Sequence, residues 1–193
     1  MQFTISTLAL LSSLATAAPV NTPRAVSTGT TFNLVFTGVG GATGLPALNS
    51  GTWVVTSDNN RAELTSDASK ANLFYKYGSE FNIGTASTGM VITPGGTATV
   101  PNGRPVELIN NNATAGVNIL INQSGLPTLT YDGGKFQACE DGQGIFVSYV
   151  AQGQRYLAAC APVELVAKCS TTGLGSPLTG QLGQPAQVSC QTD

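Results

Sequence analysis

From Thr31 onward the chain sets short apolar runs between polar and turn-forming residues. Thr31-Phe-Asn-Leu-Val-Phe36 alternates apolar with polar positions and then loses the alternation. Thr52-Trp-Val-Val-Thr56 is dense in β-branched and aromatic residues, which suit a pleated surface. Similar runs follow at Leu73–Tyr77, Met90–Thr93, Ala98–Val100, Val106–Ile109, Val117–Ile121, Thr128–Tyr131, Lys135–Ala138, Gly144–Val150, Arg155–Ala158 and Val163–Ala167. Most are bounded by Gly, Asn, Pro or Asp. About a dozen short strands at this spacing predict an all-β fold, a single compact β-sandwich or barrel, with a β-trefoil as the alternative. Only the stretch from Asp58 to Ala71 tolerates a helix, and at most two turns fit there.

One turn is specified by its chemistry. Thr128–Tyr131 and Lys135–Ala138 flank Asp132-Gly133-Gly134. Asp-Gly favours positive φ at both central turn positions, which matches the twist of paired strands and predicts a β-hairpin. The two-residue period puts Leu129 and Tyr131 on one face and Thr128 and Thr130 on the other.

The ends read differently. Residues 1–17 combine an apolar run with Ala15-Thr16-Ala17, the pattern of a secretory signal peptide. Residues 18–30 carry turn-formers without periodicity and read as a flexible lead. Residues 31–169 form the all-β domain, and residues 170–193 a loop-rich tail held back by a disulfide. The polar C-terminus lacks the hydrophobic tail of a lipid-anchor signal, and no segment has the 18 consecutive apolar residues of a membrane span, so no membrane anchor is expected.

Export makes the four cysteines informative. Cys139, Cys160, Cys169 and Cys190 are spaced 21, 9 and 21 residues apart. An even count in an oxidising compartment implies disulfides, and the order suggests Cys139–Cys160 and Cys169–Cys190 among three possible pairings. Zinc is disfavoured because no two cysteines lie two to four residues apart and the chain has no histidine. Asn112-Ala-Thr114 and Asn122-Gln-Ser124 are acceptor sequences for N-glycosylation of a secreted chain.

Composition narrows the chemistry. Charged residues make up 9% of the chain, against roughly 25% in ordinary soluble domains. A net charge of −2 gives no electrostatic footprint for nucleic acid. Without histidine there is no Ser-His-Asp triad and no His-based zinc hydrolase. Gly38–Thr43 lacks the lysine of a phosphate-binding loop. Asp132, Glu140 and Asp141 could serve as a glycosidase pair only if a pocket gathered them, and each already has a sufficient role in a turn. We therefore expect no catalytic residue, no cofactor and no metal. Trp53, Phe74, Tyr75, Tyr77, Tyr131, Tyr149 and Tyr156 are read as core and cross-strand residues rather than a sugar-stacking surface.

Gly125-Leu126, Leu129-Thr130, Asp132-Gly133, Phe136, Ala138-Cys139, Ile145, Val147, Ala151, Gly153 and Cys160 together resemble the fungal phialide cell-wall proteins of the PhiA type. The likeness covers residues 115–165; the tail with Cys169 and Cys190 departs from it. It implies a secreted, wall-associated fungal protein tied to sporulating cells and wall integrity, with cell-wall polysaccharide or wall proteins as partners. It supplies no catalytic residue. A secreted effector acting on a host and a carbohydrate-binding module are the alternatives.

Overall fold

A computed structural model of the chain describes residues 25–38, 52–83, 88–97, 100–171 and 185–192. The signal segment 1–17 and most of Gly38–Thr43 lie outside the described residues. The fold is all-β. Its strands are β1 (Val26–Gly29), β2 (Thr31–Gly38), β3 (Val54–Asp58), β4 (Arg61–Thr65), β5 (Phe74–Tyr77), β6 (Glu80–Ile83), β7 (Thr88–Val91), β8 (Glu107–Asn110), β9 (Asn118–Ile121), β10 (Pro127–Thr130), β11 (Lys135–Glu140), β12 (Ile145–Val150), β13 (Cys160–Cys169) and β14 (Val188–Gln191). All join one sheet, and among the described residues its strands pair antiparallel except β13 with β14.

The sheet closes on itself because some strands take two partners end to end along one edge. β2 pairs β13 on one side; on the other it meets β3 at Val35↔Val54 and β5 at Phe32↔Phe74. β4 likewise meets both β12 and β8. The pairings therefore trace a ring β2-β3-β4-β12-β11-β13 and a second ring through β5, β6, β7 and β8, sharing β2, β3 and β4. This is a barrel-like arrangement rather than the three equal units of a trefoil. One apolar cluster fills it, with Phe32, Leu34, Phe74, Phe81, Met90, Leu108, Leu165 and Ala167 almost completely buried. Phe32 stacks on Phe74 and meets Phe81 edge-on, with centroids 5.9 and 5.5 Å apart.

The helix-tolerant stretch is instead a β-hairpin. Asp58 pairs with Arg61 across a two-residue turn, and both central residues take positive φ, Asn59 at 48° and Asn60 at 64°. Asn tolerates this region better than other non-glycine residues. Ala62 and Leu64, two positions apart, then enter the core as β4. The helical remnant is one 3-10 turn, Ala68–Lys70, capped by the Asp67 carboxylate on the Ser69 N–H. Residues Arg155–Ala158 also depart from expectation. They form no strand but a covering segment held by side chains: the Leu157 N–H donates to Gln137 Oε1 at 2.9 Å, and Gln154 Nε2 donates to the Gly95 and Thr97 carbonyls.

The first and last described segments belong to the sheet. β1, within the expected flexible lead, pairs over its whole length with β14 of the expected loop-rich tail, from Val26↔Gln191 to Gly29↔Val188. β14 in turn lies beside β13 at Lys168↔Gln191.

Candidate functional site

The Asp132-Gly133 turn adopts its expected conformation in an unexpected place. Asp132 and Gly133 have φ of 42° and 64°, and the Gly134 N–H closes the turn onto the Tyr131 carbonyl at 2.9 Å. Yet the flanking strands do not pair with each other. β10 pairs with β9 and, at Thr128↔Val166, with β13; β11 pairs with β12 and, at Phe136↔Val163, with the same β13. Between these two rungs the β10–β11 chain advances eight residues while β13 advances three. Five extra residues are therefore pinched out of a run that keeps its direction along β13. The tight reversal comes later, at Glu140–Ile145, where Gly142 has φ 81°. Turn chemistry fixed the dihedrals; the length of β13 decided which edge each strand took.

The pinch opens a groove of about 310 Å³ against β13. Lys135, Thr128, Thr130, Tyr156, Val163 and Glu164 are among its walls. The Lys135 ammonium lies 5.8 Å from the Tyr156 ring centroid. The Glu164 carboxylate accepts from Asn122 Nδ2 at 3.1 Å. Burial, and then the Glu164 charge, push the Tyr156 phenol above its ordinary pKa, so it stays neutral through the physiological range. The Thr128 and Thr130 hydroxyls donate to the Leu120 and Asn118 carbonyls of β9, both at 3.2 Å, leaving oxygen lone pairs.

A second polar cluster is closed by its own charges. Arg61 bonds Glu63 through two guanidinium nitrogens and Asp141 through a third, and it lies 5.2 Å from the Phe146 ring centroid. Arg61 holds the Asp141 carboxyl below the usual range, helped by the Gln143 N–H. Of the three carboxylates weighed from sequence, Asp132 sits in the pinched turn, Glu140 is exposed at the end of β11, and Asp141 is tied to Arg61. None of them lines the concave sites described around Thr128, Thr56 or Asn33. Among the described residues, no group of three or more His, Cys, Asp or Glu is placed to hold a metal ion.

Residues 29–169 match the model of a domain of unknown function, DUF7907. The chain belongs to the DUF7907 family. No curated protein and no solved structure matches it. The DUF7907 span contains the groove and Cys139–Cys160 entirely, but stops before β14 and Cys190.

In this DUF7907 protein the cysteines pair as Cys139–Cys160, within the matched span, and Cys169–Cys190, which reaches beyond it, with Cα atoms 4.4 and 5.0 Å apart. Cys139 and Cys160 are direct cross-strand partners of β11 and β13. The two glycosylation sequences differ sharply. Asn112 is exposed, and the Thr114 hydroxyl of its triplet accepts the Ile92 N–H at 2.8 Å. Asn122 is half-buried and fully engaged: Oδ1 accepts from the Ser124 and Leu126 N–H groups, both at 2.9 Å, while Nδ2 holds Glu164. Among the aromatics, Phe74, Tyr75 and Tyr149 are buried and Trp53 packs against the core, whereas Tyr77 is exposed. Lys135, Tyr156 and Glu164 were not recognisable as neighbours in the sequence. They come from a strand start, a covering loop and a mid-strand position, and no local pattern links the three.

Proposed function

We propose that the protein is a secreted, non-enzymatic component of a fungal cell wall or cell surface, akin to the phialide wall proteins its central segment resembles. The observation that carries this reading is the pair of disulfides, one tying neighbouring strands of the barrel and one tying the terminal strand to it. Such crosslinks form and persist in oxidising compartments, and they suit a scaffold that must last outside the cell. The low charge and the acceptor sequence at exposed Asn112 support the same reading. A non-catalytic role is supported by the engagement of Glu63 and Asp141 with Arg61, by the turn position of Asp132 and by the exposed strand-end position of Glu140. Fractionation of producing cells tests the proposal. Recovery of leader-free, disulfide-bonded protein from the wall fraction is expected; recovery from culture fluid alone, or four free thiols, overturns it. A carbohydrate-binding module is the second reading, and the groove beside β13 is what favours it.

A further inference from the structure

We propose that the groove between β10, β11 and β13 binds a neutral carbohydrate, with Lys135 as donor, Glu164 as acceptor and the Tyr156 hydroxyl as both. The groove is built rather than incidental. Five extra residues hold its β10–β11 wall away from β13, and Asn122 orients Glu164 from outside. Its volume of about 310 Å³ falls at the small end of ligand pockets, so it suits one or two sugar rings.

The charges choose the class of ligand. One cation and one anion share the lining, so a ligand charged with either sign meets one like charge. A neutral polyol meets none. Each sugar hydroxyl donates and accepts, which matches the donor Lys135, the acceptor Glu164 and the bifunctional Tyr156 phenol. Hydrogen bonds to charged groups are the stronger kind, so Lys135 and Glu164 should dominate affinity. Val163 and the Tyr156 ring supply apolar wall for the C–H faces of a sugar.

The choice of wall oligosaccharides as probes rests on the proposed wall association; the groove's preference for a neutral ligand does not. The test is calorimetric titration of the full mature chain, produced without N-glycans. The probes are a β-1,3-glucan hexaose and a chitin hexaose, both neutral, with an oligogalacturonate and a chitosan oligomer as the charged counterparts. Saturable binding of a neutral oligosaccharide is expected. Glu164→Gln and Lys135→Met should each weaken it about tenfold. Tyr156→Phe, which keeps the ring, should weaken it less, and Arg104→Ala on the exposed surface should leave it unchanged. Absence of saturable binding by either neutral probe overturns the inference, as does wild-type affinity in both charge variants or tighter binding of a charged oligomer. If binding fails while the protein is still found in the wall, the groove assignment falls alone. If binding succeeds while the protein is absent from the wall, the wall assignment falls alone.

Discussion

Gly134 lies so close to Tyr149 that an added Cβ would stand 2.2 Å from the phenol oxygen. The Tyr149 hydroxyl in turn donates to the Tyr131 carbonyl at 3.1 Å, on the residue that begins the pinched turn. The second glycine of Asp-Gly-Gly is thus required by a ring packed beneath it. Tyr149 is buried, with Phe136 and Tyr131 edge-on to its ring, so it has no room to yield. Gly134→Ala should cost about 1–3 kcal/mol, the usual range for overpacking, in urea unfolding. Gly116→Ala, with no neighbour within 4 Å, serves as the contrast: its positive φ of 86° is the sole strain. Equal stability of Gly134→Ala and wild type would remove Tyr149 as the turn's support.

The second disulfide should govern β1 and β14 together. β14 is held to β13 by Cys169–Cys190, and β1 is held by β14. Replacing both cysteines with serine should lower stability by about 3 kcal/mol, the loop-closure value for a crosslink of this span. It should also raise amide exchange in residues 26–29 as well as 188–191. Unchanged protection of β1 would show that its pairing does not depend on the bridge.

Acid should act through Asp141. Its pKa is lowered in the folded protein, chiefly by Arg61 and then by the Gln143 N–H. The contribution is therefore fully present above the unfolded value, near 3.9, and is lost as pH falls through the lower folded value. Asp141→Asn should be less stable than wild type at neutral pH, and the gap should narrow as pH falls below the unfolded value and close once it is below the folded one. A constant gap down to pH 2, measured by denaturant unfolding, would contradict the Arg61 linkage.

The two acceptor asparagines should separate in secreted material. Glycopeptide mass spectrometry should find Asn112 occupied more fully than Asn122, whose Nδ2 is already committed to Glu164. Asn122→Ala should cost about 1–2 kcal/mol through its lost turn bonds, while exposed Asn112→Ala should change stability little. The opposite ranking in either measurement would mean that Asn122 does not hold its loop.

The fold class was legible because short β-forming runs recur between turn-forming residues, and the alternation at Phe32, Leu34 and Phe36 does face the core. The disulfide pairs followed from spacing once export was assumed. Pairing partners were not legible. Asp132-Gly133 encodes a local twist, and nothing within it reveals that a ten-residue strand elsewhere would draw both flanks to one edge. Arg61–Thr65 misled for a related reason: Arg, Ala, Glu and Leu favour helices, but the Asn59-Asn60 turn and the β3 ladder override that preference. The candidate groove was invisible because its polar groups converge only after β13 has been paired on both sides.

The union of β1 with β14 bears on how the molecule carries tension. The Thr192 N–H reaches the Ala25 carbonyl at 3.0 Å, so the two ends of the pair leave side by side. Force drawing them apart would peel the ladder like a zipper, one rung at a time, the geometry in which hydrogen bonds yield most easily. On the C-terminal side peeling reaches a covalent stop almost at once, at Cys190. Further extension from that side must then be borne by β13, the strand on which the rest of the barrel is hung.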